Sequence, residues 1–96
     1  MKVEYTRQAL ADLRKIAADS YAFGERVAIA VELRIRTVIA NIAQHPKAAA
    51  PVAERPGMRV VPLIRYPYKI FYRILEDRVK ILHIRHTARK PWTAQR

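Results

Sequence analysis

The chain has no cysteine and only two glycines, Gly24 and Gly57. Without thiols there are no disulfides and no thiolate metal ligands, which fits a reducing compartment such as the bacterial cytoplasm. Two isolated glycines cannot build a glycine-rich phosphate loop. No apolar run reaches the roughly 18 residues that a membrane helix needs, so no membrane partner is expected. The first five residues read as a strand and lack the apolar stretch of a signal peptide. Acids are scarce, eight Asp/Glu against nineteen Lys/Arg. The neighbouring pair Glu76 and Asp77 falls in an expected turn, where solvated charge is a better reading than paired-carboxylate catalysis. His83 and His86 lie three apart, so their side chains tend to opposite faces of a strand. With few acids nearby, neither a metal site nor a cofactor is expected.

What is present is a basic chain of one-domain length. Its 96 residues are 51% hydrophobic, enough for a modest core, and carry a net charge of +11. The charge is uneven. Residues 1–54 hold eight Lys/Arg and six Asp/Glu, a net of +2; residues 55–96 hold eleven and two, a net of +9. That asymmetry points to a nucleic acid or an acidic protein facing the C-terminal half.

Periodicity sets out the elements. Val3 and Tyr5 alternate with Lys2 and Glu4, a short strand. Thr6 is placed to cap a helix running from Arg7 to about Tyr21. Leu10, Leu13, Ile16, Ala17 and Tyr21 share one face of that helix, and Arg7, Asp12, Arg14, Lys15 and Asp19 take the other. Gly24 breaks the pattern. A second helix follows over about 25–44, striped by Val27, Val31, Ile35, Val38, Ile39 and Ile42, and the two should pair as an antiparallel hairpin. Ile29, Leu33 and Ala40 fall opposite that stripe. Such a strip suits a partner or a covering element of the same domain, and the spacing leaves both open. After His45 and Pro46 come a loop and three strand-like runs, 58–63, 68–75 and 79–85. The last two are joined by a tight turn at Glu76 and Asp77. Pro62 cannot donate to a ladder, so its strand should be irregular or at an edge there. The expected fold is α+β, in the order β-α-α-β-β-β: an N-terminal strand, a helical hairpin, and a three-stranded antiparallel sheet.

One cluster could carry chemistry. Arg59, Arg65, Lys69, Arg73, Lys80, Arg85, Arg89 and Lys90 interleave with Tyr66, Tyr68, Phe71 and Tyr72. Cations hold phosphates and stabilise a phosphorane, histidine or tyrosine moves protons, and aromatic rings stack on bases. The same set serves metal-independent RNA cleavage or an inert basic binding face. For the strand aromatics, sheet packing is the commoner role. Arg89 follows the last strand and is not needed for it, which marks it for function.

At these residues the chain resembles the RelE/ParE superfamily of toxins over nearly its whole length. The likeness rests on Tyr5, Thr6, Ala9, Asp12 and Leu13 at the first helix, and on His45 and Pro46 closing the second. It continues through Gly57, Met58 and Arg59, the stretch 66–73, and the run 79–84 leading into His86, Thr87, Ala88 and Arg89. The resemblance implies a toxin held in a hetero-oligomer by a cognate antitoxin, whose acidic C-terminal segment wraps around it. It also implies one of two targets. RelE-like members cut messenger RNA on the ribosome; ParE-like members poison DNA gyrase and are not nucleases. Lys69 and Arg89 match basic positions of the nucleases. Two further lysines of that group fall near Val60 and Pro62, which have no basic side chain, and its C-terminal tyrosine has no match beyond nearby Trp92. The stretch 57–72 looks more like the ParE side, so gyrase is the expected target. The catalytic candidates, if the chain is a nuclease, are Lys69, Arg73, His83, His86 and Arg89. The expected antitoxin contacts are Ile29, Leu33, Ala40, Arg59 and Arg65; the expected target contacts are Arg85, Arg89, Lys90 and Trp92. A non-toxic nucleic-acid-binding module also accounts for the charge, although Arg26, Arg34 and Arg36 are too dispersed for a recognition helix.

Overall fold

The computed structural model describes residues 1–87. Strand β1 (Lys2–Tyr5) leads into α1 (Arg7–Tyr21) and α2 (Glu25–Gln44). The sheet is completed by β2 (Ala50–Pro51), β3 (Met58–Pro62), β4 (Tyr68–Ile74) and β5 (Arg78–His86). The α+β class and the two helix spans are as the periodicity indicates. The sheet differs in detail: it has five strands in the order β1-β5-β4-β3-β2, and β1 runs parallel to β5. The successive antiparallel steps from β2 to β3, β4 and β5 bring β5 beside β1 in the parallel sense.

Thr6 caps α1 as its chemistry requires. Its hydroxyl oxygen accepts the Ala9 N–H at 3.0 Å and donates to the Leu82 carbonyl at 2.8 Å. The Thr6 amide donates to the Ile81 carbonyl at 3.0 Å. These bonds fix the start of α1 along the edge of β5, and with it the rotation of the helix. The buried face is therefore Ala9, Ile16 and Ser20, with Leu13 partly covered. Leu10, Ala17 and Tyr21, expected inside, are exposed. The α2 stripe is buried at Val31, Ile35, Val38, Ile39 and Ile42. Val27 is not, because it lies in the first, solvated turn after Gly24, whose φ of 114° suits glycine.

Both helices pack on one sheet face, against Ile70, Tyr72, Val79, Ile81 and Ile84. Tyr72 is fully buried, and its hydroxyl donates to the Pro46 carbonyl just past α2. Burial pushes its pKa up, against a smaller lowering by the Arg59 charge. The β4–β5 turn is as tight as expected, with the Leu75 amide donating to the Arg78 carbonyl at 2.8 Å. Pro62 pairs only with Lys69, because the pairing with β2 ends at Ala50 opposite Val60; its other side is an open edge.

Candidate functional site

Three surfaces could carry function. The first is a groove of about 710 Å³ between the helices, lined by Leu13, Ala17 and Tyr21 of α1 and by Ala28, Ile29 and Ile35 of α2. Glu25, Glu32 and Arg36 give its rim mixed charge. Ile29 and Leu33 are 50% and 59% exposed, and Ala40 is exposed farther along the same stripe. The apolar strip seen in the sequence is thus not covered by the domain.

The second surface is the sheet face turned away from the helices. Lys69 and Arg73 alternate with the core residues of β4 and point there. Register sets Lys69 opposite Arg85 and Arg73 opposite Lys80, with Phe71 opposite His83 between them. Like charges directly across a ladder cost stability, so this face suits an anion better than it suits the fold. Glu4 relieves one end, bonding Arg78 and standing 3.8 Å from Lys80. Gly57 closes beside this face: a Cβ there would meet the Arg73 guanidinium at 3.1 Å.

Arg59 and Arg65 do not share one surface role. The Arg59 guanidinium donates to the carbonyls of Lys47 at 3.2 Å and Ala49 at 2.7 Å, tying down the loop after α2. Arg65 is exposed on the β3–β4 loop. Arg89, Lys90 and Trp92 lie outside the described residues.

The third surface corrects a sequence-based expectation. Asp12 falls on the polar face of α1 by spacing and His83 has no evident carboxylate partner; in the fold they meet. Where β1 ends, α1 covers the free edge of β5. Asp12 Oδ2 there accepts the Ile84 amide at 2.9 Å and lies 2.5 Å from His83 Nδ1. The β4–β5 ladder shifts register beside His83, between Phe71 and Tyr72. Arg85 approaches His83 Nε2 at 3.0 Å. A guanidinium only donates, so Nε2 accepts and Nδ1–H donates to Asp12. Both ring nitrogens are engaged within the protein. His86 stacks edge-on to Tyr68, with ring centroids 5.4 Å apart. The two histidines border a cleft of only about 70 Å³. The one local hint of the Asp12 contact was its place between Ala9 and Ile16, once the helix is rotated to bury those two. No group of His, Asp and Glu fit for a metal occurs among the described residues. No helix among them is long and apolar enough to cross a membrane.

Comparison with known proteins gives this geometry a family. A chain from the chromosomal ParDE toxin–antitoxin system of P. aeruginosa superposes with a TM-score of 0.78 at 27% identity, covering 90% of this chain and 95% of that one. The isolated E. coli RelE toxin superposes with a TM-score of 0.67 at 14% identity, covering 98% and 92%. A YoeB/ParE toxin from Agrobacterium tumefaciens gives 0.66 at 19%, covering 90% and 98%. The last two share the fold. Curated protein sequences give no match. The family described as ParE toxin of type II toxin-antitoxin system, parDE, matches residues 3–91, nearly the whole chain. The chain belongs to the ParE toxin family of type II toxin–antitoxin systems.

Proposed function

We propose that this protein is a single-domain cytoplasmic toxin that inhibits DNA gyrase and is neutralised by a cognate antitoxin. The observation that carries the choice of target is the state of His83. Metal-independent RNA cleavage needs a base for the 2′-hydroxyl, cations for the phosphorane and an acid for the leaving oxygen. Asp12 against His83 is the arrangement that would orient a general base, and it is what favours the nuclease reading. Yet Arg85 occupies Nε2 and Asp12 occupies Nδ1, and the same carboxylate holds the Ile84 amide. The group works as a staple between α1 and the edge of β5. Lys69, Arg73 and Arg85 then form a binding face for acidic groups rather than a catalytic set.

The antitoxin is expected to lay an amphipathic segment along α2, entering the groove at Ile29 and covering the exposed strip of Leu33 and Ala40. Apolar burial there would set the residence time, while the basic half of the chain would set the on-rate. Arg85 and the tail residues Arg89, Lys90 and Trp92 remain the proposed target contacts. The test runs one toxin preparation in two assays, a plasmid supercoiling gel and a primer-extension map of a translated message. Blocked supercoiling with an intact message is expected. Codon-dependent cuts that vanish in His83→Ala, with supercoiling untouched, would reverse the assignment.

A further inference from the structure

The loop between β3 and β4 holds a conformation that its sequence should avoid. Ile64 has a φ of 70°, in the left-handed region, and among the described residues it is the one non-glycine residue there. A β-branched side chain in that region is an outlier, because its Cβ crowds the backbone. The Arg65 amide donates to the Leu63 carbonyl at 2.8 Å, closing a three-residue γ-turn with Ile64 at its centre. At positive φ this is the rare, strained form of that turn.

Such strain persists only where neighbouring structure enforces it. Here the enforcement is plain. Leu63 is wholly buried, and its amide donates to the Tyr68 carbonyl at 2.9 Å. Arg34 of α2 donates from Nε to the Leu63 carbonyl at 3.3 Å. The Thr87 amide, at the end of β5, donates to the Pro67 carbonyl at 2.7 Å. The loop is pinned at both ends, and Ile64 is forced outward. Its side chain gains nothing from the fold in return. At 83% exposure it is the most exposed large hydrophobic residue of the described chain. Glycine or asparagine would fit the backbone better and forfeit almost no packing.

We propose that Ile64 is the apolar anchor by which the toxin docks into an acid-rimmed apolar pocket on its folded target protein. The inference rests on the toxin reading above and adds a contact to it. Shape selects the occupant. A flexible antitoxin segment needs a concave seat, and the groove between the helices supplies one. A single apolar side chain on a rigid, outward loop is convex, so it needs a pocket in a folded partner. Arg65, exposed and next in the chain, sets the charge of that pocket's rim. Because the loop is held before binding, little ordering entropy is lost on docking.

The experiment measures binding of the full chain to immobilised gyrase by interferometry, beside thermal unfolding, for the wild type, Ile64→Asn, Ile64→Gly and Ile64→Leu. Asn and Gly should weaken gyrase binding about 30-fold, as loss of a central anchor does. Asn should at the same time raise Tm by about 4–8 °C through relief of strain. Leu keeps the apolar group without the β-branch, so it should bind within about threefold of the wild type. Wild-type binding is the control: its absence removes gyrase, and this docking with it. If the wild type binds and Asn and Gly bind equally well, the anchor is refuted while the toxin reading stands. A lower Tm for Asn would refute the strain. Weakened binding of the cognate antitoxin, with gyrase binding intact, would refute the choice of partner.

Discussion

Replacing Asp12 with alanine should destabilise the protein far beyond what a surface substitution does. One carboxylate oxygen serves two donors from a strand 71 or more residues away, the Ile84 amide at 2.9 Å and His83 Nδ1 at 2.5 Å. The Asp12 side chain is 13% exposed and that of His83 12%, so water replaces it poorly. A buried donor left without an acceptor costs about 1–3 kcal/mol, and bonds to a charged acceptor lie at the upper end. Partial access of water to His83 trims the sum, and the better helix propensity of alanine returns about half a kcal/mol. A net loss of about 2–3 kcal/mol follows, or about 10–20 °C in Tm for a domain of this size. Circular dichroism during heating and in urea measures both quantities. Asp12→Asn keeps the volume and an acceptor but not the charge, and should lose about half as much. His83→Ala leaves the Ile84 bond in place and should lose about 1 kcal/mol. An Asp12→Ala loss below about 0.5 kcal/mol, or a His83→Ala loss as large as that of Asp12→Ala, would refute the staple.

Leu33→Glu should weaken antitoxin binding by about 2–4 kcal/mol if its exposed side chain is a central anchor, and titration calorimetry reads this directly. His83→Ala, assayed below its Tm, should arrest bacterial growth as the wild type does; loss of arrest with the fold intact would restore a catalytic role. Tyr72 gives a pH signature. Its folded pKa is raised above the ordinary tyrosine value of about 10, so the unfolded chain ionises first. Stability is full below about pH 10 and falls as pH rises through the folded pKa, by at most about 1.4 kcal/mol per unit. Tyr72→Phe should be less stable at neutral pH, having lost the bond to Pro46, but should lack this alkaline decline relative to the wild type.

What was legible in the sequence is what is local. The Thr6 cap, both helix spans, the break at Gly24 and the turn at Glu76 and Asp77 depend on residues within a few positions of one another. So does the α2 stripe, except at Val27. The outward strip of Ile29, Leu33 and Ala40 was also readable, because α2 is long enough for its periodicity to separate two faces. The rotation of α1 was not, since it is fixed by bonds from Thr6 to Ile81 and Leu82 rather than by its own apolar pattern. The β1–β5 pairing and the Asp12–His83 contact join opposite ends of the chain, and no local rule carries them. Arg59 shows the reverse problem. As a cation it read as a contact for a partner, but the loop carbonyls after α2 already engage it. Nothing in the sequence marks Ile64, because its side chain is ordinary and only its φ is not.

β5 has a place in time as well as in space. It is the last described element to be synthesised, yet it pairs with β1 on one side and β4 on the other, and α1 lies along its free edge. β1, made first, has no partner until residues 78–81 exist. Its loop closure spans most of the chain, a cost in entropy that nothing offsets until the end. A nascent or prematurely ended chain therefore lacks the strand on which its helices rest. The protein cannot act piecemeal while it is being made: the fold, and with it any capacity for harm, arrives nearly all at once.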